Sequence, residues 1–159
     1  MDRRIDYAKV APNGVRALTG LEAYVRSSGL EPALLHLIKT RVSQLNRCAY
    51  CIDMHTKDAR AGGETEQRLY ALAAWWETPF YTDRERAALA WAEAVTLVGE
   101  GGVPDALYEQ ARQHFSEKDL VNLTLALVAI NGWNRLSISF RTVPGTYRPR
   151  AVATREVAS

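Results

Sequence analysis

Two cysteines spaced C-x-x-C, followed four residues later by a histidine, make Cys48-Ala49-Tyr50-Cys51-Ile52-Asp53-Met54-His55 the segment best equipped for chemistry. Cys48 and Cys51 are the only cysteines of the 159 residues, and His55 is one of three histidines. No helix breaker intervenes from Ile52 to Arg60, ahead of Gly62-Gly63. The spacing therefore predicts a helix that begins at or near the two sulfurs and carries His55 one turn further in. Unpaired N–H groups and the positive end of the dipole at a helix start favour thiolate over thiol, and the thiolate is the reactive form. Cys51 and His55, at i and i+4, share a face, so the imidazole can take the thiol proton. A sulfenic acid formed on Cys51 could then condense with Cys48 to a disulfide. Helix geometry alone leaves open which cysteine attacks.

Two plainer readings stand beside this one. C-x-x-C-x-x-x-H offers three zinc-type ligands, but structural zinc usually takes a fourth, and only His36 and His114 remain among the histidines. The cysteines could also be two small buried apolar residues.

The elements that must hold this segment are read from the apolar pattern. Val15, Leu18, Leu21 and Val25 form a helical stripe from about Asn13 to Ser28. Pro32 suits the first turn of a second helix, with Leu34, Leu35, Ile38, Val42 and Leu45 on one face and a stop near Asn46-Arg47. After the cysteine helix, a helix from Glu64 or Thr65 carries Leu69, Leu72, Ala73 and Trp76, and Thr78-Pro79 breaks it. Thr82-Asp83-Arg84-Glu85 is a capping box ahead of a stripe from Ala87 to Val98. Pro104 starts a short helix over Ala106–His114, and Ser116-Glu117-Lys118-Asp119 caps a last helix to about Phe140. That helix is apolar on most sides from Leu120 to Ile130, which predicts burial in the core together with a subunit interface. Asn134-Arg135 interrupts it, and an arginine there is expected to be buried in a salt bridge. No strand is legible. The expectation is an all-α, single-domain bundle over 1–159 with six to seven helices and irregular arms over about 1–12 and 142–159.

Composition excludes several classes. The 47% hydrophobic and 24% charged residues are those of an ordinary globular chain, and the formal net charge of +2 is too weak and scattered to suggest nucleic acid. The polar Met1-Asp2-Arg3-Arg4-Ile5-Asp6 start is not a signal peptide. The apolar run from Leu123 to Ile130 is too short to span a bilayer. A cytoplasmic location without membrane association is expected, where one C-x-x-C serves catalysis, redox or metal binding rather than stapling. No glycine-rich phosphate loop exists, so no flavin, haem or nucleotide cofactor is expected, and no resident metal.

The stretch Leu37-Ile38-Lys39-Thr40-Arg41-Val42-Ser43-Gln44-Leu45-Asn46-Arg47-Cys48 through His55, with Ala129-Ile130-Asn131-Gly132-Trp133-Asn134-Arg135 and Pro144-Gly145, resembles the alkylhydroperoxidase D-like branch of the carboxymuconolactone decarboxylase family. Similarity extends over roughly residues 30–146. It implies an all-helical homotrimer or homohexamer and a thiol peroxidase that reduces hydroperoxides through the cysteine pair. By that analogy Cys51 attacks, Cys48 resolves and His55 relays the proton. The analogy also implies re-reduction by a dithiol partner, which the sequence does not identify. The family's motif commonly places a glutamate twelve residues before the first cysteine, and here that position is His36. His36 can shuttle a proton, so it joins the candidate catalytic set, but it supplies no negative charge. Glu31 is not an obvious replacement. Two other functions compete with the peroxidase: a lactone decarboxylase on the same scaffold, and a non-catalytic redox-sensing oligomer or disulfide reductase.

Overall fold

The computed structural model describes residues 2–149. Among these there are nine α-helices, one 3-10 segment and no strand, so the chain is all-α as its periodicity predicts. The helices are α1 Tyr7–Val10, α2 Pro12–Arg26, α3 Pro32–Leu45, α4 Ala49–Ala61, α5 Glu66–Ala71, α6 Asp83–Thr96, α7 Val98–Gly101, α8 Asp105–His114 and α9 Glu117–Ser139. Residues 142–149 are irregular, as expected. The part of the expected tail over 150–159 lies outside the described residues.

Local signals explain most boundaries. Pro12 and Pro32 occupy the first turns of α2 and α3, where the missing N–H has no intrahelical partner to lose. The Thr82 and Glu85 side chains form a reciprocal capping box at α6, and Ser116 Oγ accepts the Asp119 N–H at 3.1 Å at the start of α9.

The count exceeds the six to seven helices expected because two single turns escape periodicity. α1 lies inside the expected irregular arm. It forms because Arg4 N–H reaches the Phe140 carbonyl at 3.1 Å and Tyr7 stacks on Phe140 with ring centroids 5.8 Å apart. α7 forms in the glycine-rich stop after α6 and ends at Gly102, whose φ of 68° lies in the left-handed region. The helix expected from Thr65 to Trp76 is instead α5 followed by a 3-10 segment, Leu72–Glu77, with non-helical φ/ψ at Ala74. This break lets Trp75 turn toward α6, where its Nε1 donates to Glu93 at 2.7 Å.

α3 is the axis of the fold. It packs against α4, α6 and α9, and nine of its residues are buried, including Lys39, Arg41 and Ser43. One core joins Val25, Ile38, Val42, Ala88, Leu123 and Leu127, and a smaller one joins Leu37, Leu72, Tyr81 and Leu89. Truncating a fully buried leucine such as Leu127 to alanine costs about 2–5 kcal/mol by lost burial and cavity formation. α9 is buried along Leu123, Ala126, Leu127 and Ile130 but exposes Val121, Val128 and Ile138. Arg135 is on the surface, contrary to expectation. It donates to the Asn131 carbonyl and side chain at 3.0 and 2.9 Å instead of entering a buried salt bridge. Its spacing from Asn131 turns it off the core face that Asn134 occupies.

Candidate active site

α3 ends at Leu45, and Asn46 and Arg47 make a tight reversal before the first cysteine. The Cys48 N–H bonds the Ser43 carbonyl at 2.9 Å and the Arg47 N–H bonds Gln44 at 3.1 Å. This is the Schellman pattern, which requires a left-handed residue between them. Arg47 takes that role at φ 57°. The turn is pinned from α9. Asn46 Nδ2 donates to both Asn131 Oδ1 and Asn134 Oδ1 at 2.9 Å, and Asn134 Nδ2 donates to Ser43 Oγ at 3.1 Å. Asn134 is fully buried, so the network fixes where α4 begins.

Cys48 is the N-cap of α4, and its sulfur accepts the Cys51 N–H at 3.3 Å. Cys51 lies in the first turn. The two are joined as a disulfide with Cα atoms 5.3 Å apart, and each residue is only 1% exposed. The predicted placement of both sulfurs at a helix start is therefore observed. The pair is thus enclosed by the protein.

His55 follows on the same helix and is buried, while His36 reaches it from α3, half-buried, with ring centroids 6.4 Å apart. The two histidines singled out from sequence do come together. Nδ1 of each is buried without a hydrogen-bond partner among the described residues. Burial pushes the His55 imidazolium down to about 3, helped by the positive charges of Lys39 and Arg26 and by His36. His36 is also lowered, again first by burial, with Asp58 pulling the other way. Both rings are thus neutral at neutral pH. Lys39 is itself buried, and its ammonium is paired to the carboxylate of Glu22 from α2. Burial lowers Lys39, and the contact with Glu22 opposes that.

Two groups at the site were not singled out from sequence. Asp58 stands one turn beyond His55, and one donor atom each of His36, His55 and Asp58 lies within 4.8 Å of the others. Tyr147, from the segment after α9, donates its hydroxyl to Asp58 Oδ1 at 2.7 Å. Burial and that contact push the phenol up to about 12, so it remains the donor. The same segment is strapped to α4 by the Gly145 N–H, which donates to Asp53 Oδ2 at 3.0 Å. Lys57 bonds Asp53 at 2.9 Å and reaches the carbonyls of Gly145 and Tyr147. Asp53 is thus an anchor for this strap, one position beyond the first turn of α4, and Lys57 holds its carboxyl below the usual range. The i+3 spacing from His55 to Asp58 was a usable signal in the sequence. Nothing local points to Tyr147.

The donors that converge are His36, His55 and Asp58, not the C-x-x-C-x-x-x-H set weighed from sequence. The ammonium of Lys39 and the guanidinium of Arg26 act on both rings and disfavour positive charge there. Trp91 borders an apolar depression with Tyr108, Leu120, Val121 and Leu125, which contains neither cysteine nor histidine. His114, at the end of α8, only lends its carbonyl to Arg84. No described helix is long and apolar enough to cross a membrane.

Comparison with known proteins places this architecture. The carboxymuconolactone decarboxylase family model matches residues 12–94. The chain is 48% identical to YdfG of Bacillus subtilis over 139 residues, spanning 87% of this chain and 95% of that one. It is similar to a crystal structure from Agrobacterium tumefaciens, a protein of unknown function for which an AhpD antioxidant-defence role has been suggested. That match has a TM-score of 0.89 and 46% identity, and covers 92% of this chain and 100% of the other. The fold also resembles that of the debrominase Bmp8, with a TM-score of 0.76 and 19% identity over 85% of this chain and 73% of that one. With its helical architecture and its paired cysteines at the start of α4, the chain belongs to the carboxymuconolactone decarboxylase family, in its AhpD-like branch.

Proposed function

We propose that this protein is a thiol-dependent peroxidase that reduces hydroperoxides through Cys48 and Cys51. The observation that carries the reading is the buried Cys48–Cys51 pair at the N-terminus of α4, with the neutral imidazole of His55 one turn away. In the reduced protein the Cys51 thiol gives its proton to the His55 ring. The thiolate attacks the outer peroxide oxygen, the O–O bond breaks, and the departing alkoxide takes a proton from the imidazolium to leave as alcohol. Cys51 is now a sulfenic acid. Cys48 attacks that sulfur as a thiolate, which its N-cap position and the Cys51 N–H favour, and water leaves as the disulfide forms. An external dithiol then returns two electrons and two protons by thiol–disulfide exchange. The helix position would equally activate Cys48, so the order of the two cysteines is for experiment to assign.

The test is oxidation of the fully reduced protein by cumene hydroperoxide, followed as thiol loss and disulfide formation beside Cys48→Ser and Cys51→Ser. Fast, saturable loss of both thiols in the wild type is expected, with sulfenic acid trapped in Cys48→Ser and no turnover in Cys51→Ser. Unchanged turnover in Cys51→Ser overturns the mechanism. Lactone chemistry on this scaffold needs no thiol, and persistence of lactone turnover in a double cysteine variant would establish that reading instead. We also infer an assembly of three or six copies, in which the exposed Val121, Val128 and Ile138 of α9 would be covered. Analytical ultracentrifugation showing a monomer would refute it.

A further inference from the structure

We propose that Asp58, oriented by the Tyr147 hydroxyl, is the positioning carboxylate of this site and takes over the duty of the glutamate that His36 displaces. The inference rests on the thiol chemistry proposed above, and it adds two residues and a role for the segment after α9.

A proton leaving the Cys51 thiol for His55 creates a cation in a buried place. Around the imidazole pair the charged groups are Glu22 and Arg26 from α2, Lys39 from α3 and Asp58 from α4. The neutral phenol of Tyr147 faces Asp58 from the strap. Lys39 and Arg26 oppose an imidazolium. Glu22 already neutralises Lys39 and also contacts Arg26, with Nε–Oε1 3.7 Å. Asp58, by contrast, makes no ion pair among the described residues and instead accepts the hydroxyl of Tyr147. It is therefore the one carboxylate at the site whose charge is not committed to a cation. It also lies where a carboxylate is needed, with its oxygen and a ring nitrogen of each histidine inside one 4.8 Å cluster.

The chemistry needs that charge. His55 alone is a weak base, because burial and two nearby cations disfavour its protonated form. A fixed negative charge beside His36 lets the proton move from His55 toward His36, as the thiolate forms on the other side. The phenol holds the carboxylate in place without neutralising it, since a hydrogen bond from a neutral donor leaves the full charge. Gly145 and Lys57, tied to Asp53, keep Tyr147 in register one turn away on α4. No net proton is gained or lost. The thiol proton waits on the imidazole pair and leaves on the alcohol.

The experiment uses reduced full-length protein as wild type, Asp58→Asn, Asp58→Glu and Tyr147→Phe, each checked for folding by thermal melting. Two readouts do not depend on peroxide: the pH profile of thiol alkylation by iodoacetamide, and NMR titration of the His36 and His55 rings. Peroxide oxidation is measured in parallel. In Asp58→Asn we expect the His36 titration to move further down, and neutral-pH alkylation to slow about 10-fold, the fall in thiolate that a one-unit rise in thiol pKa brings. Tyr147→Phe should move both in the same direction by less, and Asp58→Glu should restore part of the loss. Unchanged histidine titrations and alkylation profile in folded Asp58→Asn overturn the proposal. So does a rate loss that is equal at every pH, which marks a merely structural role. If Asp58→Asn does not fold, Tyr147→Phe decides by the same criteria. Failure of the peroxidase reading is seen separately, as wild-type peroxide oxidation no faster than a small free thiol.

Discussion

Replacing Asn134 with alanine tests whether the turn before Cys48 is held from α9. The side chain is 0% exposed, and it accepts from Asn46 at 2.9 Å and donates to Ser43 at 3.1 Å. Each neutral hydrogen bond contributes about 1 kcal/mol net. Neither partner is left wholly unsatisfied: Asn46 keeps Asn131 at 2.9 Å, and Ser43 keeps the Lys39 carbonyl at 2.7 Å. The desolvation penalty is therefore small. The lost carboxamide leaves a void near the helix crossing that adds about 1 kcal/mol. The expected loss is about 2–3 kcal/mol, read as a lower urea midpoint with an unchanged m-value. Asn46→Ala combined with Asn134→Ala should cost less than the sum of the two, with a coupling of about 1 kcal/mol, because they share one bond. A loss under about 0.5 kcal/mol, or strict additivity, would refute the assignment of the turn to this network.

Other outcomes are expected at the same site. Arg47→Gly should stabilise the protein by about 1 kcal/mol, since a non-glycine residue pays roughly that for the left-handed conformation; a lower midpoint in urea counts against the Schellman reading. Stability should fall as pH drops from about 6.5 toward 3, because the unfolded chain protonates His55 at its ordinary value while the folded protein resists down to about 3. The steepest slope is about 1.4 kcal/mol per pH unit for one such group, and His55→Phe should flatten it; an equal slope in that variant would rule out His55 as the source. Glu22→Gln should cost about 3–5 kcal/mol by stranding the buried Lys39 ammonium, whereas Glu22→Leu with Lys39→Met should recover most of it in thermal melts.

The sequence by itself determined the helices with long stripes and strong caps. Pro12, Pro32, the Thr82–Glu85 box and Ser116 act within a turn of themselves, so their effect is written locally. It determined that Cys48 and Cys51 open a helix, and that Cys51 and His55 share its face, because both follow from spacing on one element. The short turns α1 and α7 and the 3-10 break at Ala74 were not legible. They depend on partners such as Phe140 and Glu93, which no local pattern names.

Only the tertiary structure decided what surrounds the sulfurs. His36 meets His55 because α3 packs against α4. Asn46 reaches Asn134 across 88 positions, and Tyr147 reaches Asp58 across 89. Lys39, on a face that periodicity alone would leave ambiguous, is buried by its pairing with Glu22 of a different helix. The environment that keeps both imidazoles neutral is a sum of burial and of positive charge from α2 and α3. A spacing motif carries the reactive atoms of this site, but the field acting on them exists only once α2, α3, α4 and the strap after α9 have come together.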